Sequence, residues 1–209
     1  MPRRVVAILL VLLTGGCAAK KVFVTDTCVQ GDFAAASPTK TTALQVADEF
    51  CNDRARAASL GGHYKAWIST FCGSPARRFT RSKYGYELPS GGLVAKNWGE
   101  LTDWWHLGSK CCGPAGSSNT GDPILLRPID EGPDGRTVRV GRKVWTGTFA
   151  CGAVHENTKH ETMDCGGWRS TAGTGAYGNV SAVDHRWTDD HKVPDSSCSN
   201  CYPLYCFEQ

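Results

Sequence analysis

No run of apolar residues in this 209-residue chain is long enough to cross a bilayer: the longest, Val5 to Leu13, has nine, where a spanning helix takes about 20. Charge of one sign is also scarce. Lys and Arg number 23 against 20 Asp and Glu, and a chain cut before Cys17 loses Arg3 and Arg4 and keeps a net charge of +1. That excludes a global basic field able to gather nucleic acid or anionic lipid. Internal repeats are missing, as are a glycine-rich phosphate loop and a Gly-x-Ser-x-Gly nucleophile elbow. His155 and His160 flank Glu156 but stand five apart, and a zinc-protease helix needs histidines four apart to turn both toward one metal. The segment reads as a solvated loop. Asp184, His185 and many serines supply triad residue types with nothing to place them, so no catalytic residue and no cofactor is assigned and the protein is read as non-enzymatic.

Cysteine, by contrast, is abundant, and the N-terminus explains why. Arg3 and Arg4, the apolar run and the small residues Gly15 and Gly16 form a signal peptide over residues 1–16 that leads to Cys17. Small residues directly before a cysteine fit a bacterial lipobox, in which Cys17 is acylated and becomes the new N-terminus, leaving residues 17–20 as a short tether. An ordinary cut after Ala18 or Ala19 would discard Cys17; the lipobox is favoured, and both routes export the chain. Ten cysteines remain after Cys17. An even number in an oxidising compartment predicts disulfides. Only Cys198 and Cys201 have CxxC spacing, too little for a structural zinc site. Cys51, Cys165, Cys198 and Cys206 look like a frame, and four half-cystines allow three pairings.

Seven tryptophans and 24 glycines point to a loop-rich globule with aromatic packing. Lys21 to Thr25 reads as a strand and Thr41 to Ser59 as a helix, with Leu44, Ala47, Cys51, Ala55 and Ala58 on one face and Gly61-Gly62 after it. Tyr64 to Thr70 reads as a strand with Tyr64, Ala66 and Ile68 on one face and Lys65, Trp67 and Ser69 on the other. Gly73 to Pro128 is mostly irregular, with loops at Gly91-Gly92 and Gly113 to Pro123. Thr137 to Phe149 reads as strand, turn, strand, and Leu204 to Phe207 as a final strand. Arg77, Arg78, Arg81 and Lys83 cluster within seven residues, and guanidinium groups suit sulfate or carboxylate, although a solvated loop paired with nearby acids is the default at a net charge of +1. Trp98, Trp104 and Trp105 would form a partner-binding patch if exposed, although burial is the default for tryptophan.

Several ordered blocks resemble the endostatin-like domain family: Ala47 to Cys51, Tyr64 to Thr70, Val94 to Trp98, Lys143 to Thr148, Cys165-Gly166-Gly167-Trp168-Arg169, Cys198, and Leu204 to Glu208. They are similar to the endostatin domain of collagen XVIII, and more so to the endostatin-like domains of bacterial surface lipoproteins, the leptospiral ones included. The likeness covers about residues 21–209. It implies one α+β domain of C-type-lectin-like fold and nested bridges Cys51–Cys206 and Cys165–Cys198. It also implies that Arg169, like endostatin's arginine in that place, joins Arg77, Arg78, Arg81 and Lys83 in an anionic-ligand surface. Endostatin's zinc site uses an N-terminal histidine cluster absent here, so that metal does not carry over. Trp187-Thr188-Asp189-Asp190 sits where a C-type lectin has Trp-Asn-Asp, without the companion Glu-Pro-Asn or Gln-Pro-Asp loop, and reads as a core tryptophan followed by surface acids. Cys28, Cys72, Cys111, Cys112, Cys151 and Cys201 keep 15 pairings open, with the adjacent Cys111 and Cys112 joined to different partners.

The expectation is therefore a lipoprotein of the bacterial envelope, held in the outer membrane through lipid on Cys17. Its domain would bind an extracellular protein or a sulfated glycan and no nucleic acid. A structural envelope lipoprotein without an external ligand is the alternative.

Overall fold

The computed structural model describes residues 18–37, 42–102, 124–139, 141–157, 159, 161–190 and 196–209. Cys17, Trp104, Trp105, Cys111, Cys112, the Gly113–Pro123 stretch and His160 lie outside the described residues.

The helix and the strands at the two ends of the chain build the centre. Helix α1 (Ala43–Ala57) starts from a capping box in which Gln45 N donates to Thr42 Oγ1 at 3.2 Å and Thr42 N donates to Gln45 Oε1 at 2.8 Å. Its buried stripe is Ala43, Ala47, Cys51 and Ala55. Leu44 and Ala58, expected in that stripe, lie at its half-buried margin. Small residues every fourth position let α1 lie close on a five-stranded sheet of order β2-β9-β1-β3-β4. The strands are β1 (Lys20–Val24), β2 (Tyr64–Ala66), β3 (Tyr86–Glu87), β4 (Leu93–Ala95) and β9 (Tyr205–Glu208). β9 runs antiparallel to both β1 and β2, while β1 and β3 are parallel.

Both faces of β1 and β9 are buried, which accounts for their unbroken apolar runs. Phe23 and Cys206 point to the α1 side, with Tyr64 and Ala66. Val22, Val24, Tyr205 and Phe207 point to the other. The expected alternation of faces continues past β2, with Ile68 beside Tyr64 and Ala66 and Trp67 on the other side, although Trp67, Ile68 and Ser69 are all fully buried. On that second face Trp67 meets the rings of Trp187 at 4.8 Å, Phe207 at 5.1 Å, Phe79 at 5.6 Å and Trp98 at 5.7 Å. Its indole N–H donates to Thr188 Oγ1 at 2.7 Å.

Between residues 73 and 102 the chain is less irregular than expected, with α2 (Pro75–Arg78), β3, β4 and α3 (Trp98–Thr102). Residues 137–149 correct the expected hairpin. Thr137 bridges Glu131, whereas β5 (Lys143–Trp145) pairs antiparallel with β7 (Tyr177–Asn179). The partner of Val144 comes from a strand over 30 residues downstream, which local pattern cannot reveal. β6 (Thr174–Gly175) pairs with β8 (Ser196–Ser197).

Cys51–Cys206 and Cys165–Cys198 are joined, and a third bridge, Cys28–Cys201, ties the segments just beyond β1 and before β9. Cys151 is also disulfide-bonded. Cys72 departs from the expectation of full pairing: its thiol is free and exposed, beside Phe71 at the tip of the Thr70–Gly73 turn. The domain is thus a loop-rich, disulfide-bonded α+β fold. No described helix is long and apolar enough to cross a membrane.

Candidate functional site

The basic cluster is split by its surroundings. Arg78 ends α2 and reaches back to Asp48 on α1, with its Nη2 on Asp48 Oδ1 and side chains only 14% and 19% exposed. The same carboxylate accepts from Ala66 N of β2 at 2.8 Å, so the pair locks α1, β2 and α2 together. Burial pushes the Asp48 carboxyl up and the Arg78 guanidinium down, and each opposes the other's shift. Arg78 is therefore a packing residue, while Arg77, one position earlier, is exposed. Arg81 lies with its guanidinium 5.1 Å above the Trp98 ring, and Lys83 is exposed in the loop before β3.

Arg169 stands elsewhere. Cys165, Gly166, Gly167 and Trp168 have φ of 52°, 65°, 71° and 60°, one turn of left-handed helix. Such a turn costs an ordinary residue about 1–2 kcal/mol, a cost the two glycines avoid. Asp164 accepts from Gly167 N at 3.0 Å, and Cys198 holds Cys165 from the other side. Glycine is needed again at Gly31, where a β-carbon would come within 2.6 Å of Cys165 Sγ. The turn buries the Trp168 indole, which donates to Ser69 O at 2.7 Å and stacks on Phe33. Arg169 emerges exposed, with Nη1 donating to Ala34 O at 2.9 Å.

Backbone pairing puts these groups at opposite ends of β1. Lys20, which opens β1, donates to Gly85 O and pairs with Tyr86, three residues after Lys83. Val29 beyond the other end of β1 pairs with Tyr202, Gly31 N donates to Cys198 O, and Ala34 N donates to Trp168 O. The expected five-residue surface is divided: Arg81 and Lys83 lie at the start of β1, Arg169 past its end, and Arg78 is engaged by Asp48.

Sequence reading missed the buried polar centre. His155, expected in a solvated loop, is 7% exposed, and Asp189, expected at the surface, is 1% exposed. His155 Nε2 lies 3.2 Å from Asp189 Oδ1, and its ring lies 4.2 Å from Phe149. Nearby, Ser69 Oγ meets Thr148 Oγ1 at 2.8 Å, and Thr188 Oγ1 donates to Thr148 O at 3.2 Å. Hydroxyl, imidazole and carboxylate are the residue types of nucleophilic catalysis. Here Ser69, Thr148 and Thr188 are fully buried, and their hydroxyls bond to one another and to backbone carbonyls. The pairing of positions 34 residues apart left no signal in the sequence.

Trp98 is 6% exposed and offers no aromatic patch. Among the described residues no three His, Cys, Asp or Glu are grouped to hold a metal ion. An open depression of about 320 Å³ lies between the end of α1 and the turns at Pro89 and Pro133. Asp134 is its one charged lining residue, so it lacks the convergent polar groups of a small-molecule site. No protein-family model and no curated protein matches the chain.

Proposed function

We propose that the chain is an exported lipoprotein, acylated at Cys17 and held in the bacterial outer membrane, whose C-type-lectin-like, endostatin-like domain binds an extracellular protein or sulfated glycan without performing chemistry. The observation that carries this reading is the pair of bridges Cys51–Cys206 and Cys165–Cys198, the two that the endostatin-like resemblance implies. Such bridges belong to an oxidising compartment, in keeping with a chain that begins with a signal peptide. Arg169 is the candidate ligand contact, since it is exposed, its Nη1 donates to Ala34 O, and guanidinium suits sulfate or carboxylate.

Protease shaving of intact cells tests display: the domain is removed if it faces outward and spared if it faces the periplasm, which would favour the structural alternative. Heparin chromatography tests the ligand class. The purified protein should be retained at low salt and elute as the Debye length shortens to about 8 Å near physiological ionic strength. Arg169→Ala should weaken retention without shifting the thermal transition. Wild-type protein in the flow-through at low salt overturns glycan binding and leaves a protein ligand.

A further inference from the structure

The end of the sheet at which β1 begins is positively charged. Lys20 opens β1 and is bonded through its N–H to Gly85 O at 2.9 Å. Lys96 follows the last residue of β4, with its Cα 3.3 Å from where a β-carbon on Gly85 would sit. Thr80 N donates to the side chain of Gln209, next to β9, which brings the 80–84 loop to the same end. That loop carries Arg81, Lys83 and Tyr84, all exposed. Three carboxylates share the region: Glu87, 2.8 Å from Lys21 Nζ and paired with it, Glu100, 3.6 Å from Lys96, and Glu208, which accepts from Lys21 N. The cations belong to two strand ends and one loop that meet only in the fold, so the sequence does not show that Lys20 and Lys96 join Arg81 and Lys83.

We propose that this end of the sheet is the membrane-facing surface, docked on anionic phospholipid headgroups through Lys20, Arg81, Lys83 and Lys96. The proposal rests on acylation of Cys17. Only Ala18 and Ala19 separate Cys17 from Lys20. Three peptide units reach at most about 11 Å, and the exposed-charge screening length at physiological salt is about 8 Å. An acyl chain sunk in the bilayer therefore holds Lys20 near the headgroup layer, and the angle of the domain decides whether Arg81, Lys83 and Lys96 reach it too. Basic side chains there each strengthen attachment to an anionic surface about fivefold. Tyr84, 53% exposed, carries the amphipathic ring suited to the same depth. The lipid fixes where the domain is, and the cations fix which way it points. Arg169, past the far end of β1, then faces away from the bilayer, where an external ligand would arrive.

The test uses the acylated full-length mature protein mixed with phosphatidylcholine vesicles, with or without phosphatidylglycerol. Vesicles are floated, lysines acetylated on the floated protein, and rates read by mass spectrometry. In phosphatidylglycerol vesicles, acetylation of Lys20, Lys83 and Lys96 should slow about fivefold relative to pure phosphatidylcholine. Exposed Lys159, on the 156–162 loop that leads through Asp164 into the left-handed turn carrying Arg169, should react equally in both. High salt should erase the difference, and Lys83→Glu should reduce it at Lys20 and Lys96. Failure to float overturns the anchor and this proposal with it. Flotation with equal rates in both vesicles overturns the docking while the anchor stands, and slowing at Lys159 in place of the three lysines assigns the membrane to another face.

Discussion

Arg77 and Arg78 stand side by side, and their substitution should separate two roles that the sequence could not. Arg78→Ala removes the partner of a carboxylate that is only 19% exposed. Stranding one member of a buried pair costs about 3–5 kcal/mol, and the residual exposure here lowers the expectation to about 2–3 kcal/mol. Arg77→Ala should change stability by less than about 0.5 kcal/mol. Chemical denaturation of both variants checks this, and equal effects would contradict the division. Asp184 supplies a pH test. It caps the 185–187 turn by accepting from Arg186 N at 3.0 Å, and it also accepts from the Arg186 guanidinium. Partial burial pushes its carboxyl up, but these bonds outweigh burial and hold it below the ordinary 3.8. A depressed folded value means that the unfolded chain binds the proton more tightly, so the stabilisation is present above pH 3.8 and disappears as pH falls through the folded value. Asp184→Asn should therefore lower the melting temperature at neutral pH, with the gap to wild type closing in acid. A gap that widens in acid would reverse the assignment.

The left-handed turn is the element that most depends on its sequence. A β-carbon on Gly166 would have space, its nearest neighbour being Ser170 at 3.6 Å, so only the backbone resists substitution. Gly166→Ala should cost about 1–2 kcal/mol and loosen the Trp168 indole from Ser69, read as a loss of stability with a red-shifted tryptophan emission. Elements of this kind mark the limit of sequence reading. α1, β1 and β9 were legible because a helical stripe and short apolar runs between polar flanks are local patterns. The β5–β7 pairing and the buried His155–Asp189 contact were not, since each joins residues more than 30 positions apart. For the anionic surface, composition gave the guanidinium groups and the resemblance added Arg169. Only the fold showed that Asp48 takes Arg78 and that Arg169 lies past the other end of β1 from Lys83.

At the scale of the whole molecule, the bridges are interlocked. Cys28–Cys201 and Cys51–Cys206 close loops of 173 and 155 residues. With either one intact, however, the other closes only a small ring, because Cys28 and Cys51 are 23 apart and Cys201 and Cys206 five apart. That ring resembles the 33-residue step of Cys165–Cys198. Chain entropy then predicts about 3–4 kcal/mol for loss of any single bridge, and for loss of both long ones a cost above the sum by about 1–2 kcal/mol. Denaturation of the paired cysteine-to-alanine variants, singly and together, measures that excess; strict additivity would refute the redundancy. The position of β9 carries a different consequence, one of timing. It lies between β1, the first strand, and β2, and shares its ladder with both. As the chain is made from its N-terminus, the middle of the sheet is vacant until the last handful of residues emerges. Until then Val22, Phe23 and Tyr64 have no strand to cover them, so an incomplete chain exposes apolar surface and unpaired strand edges and is prone to aggregate.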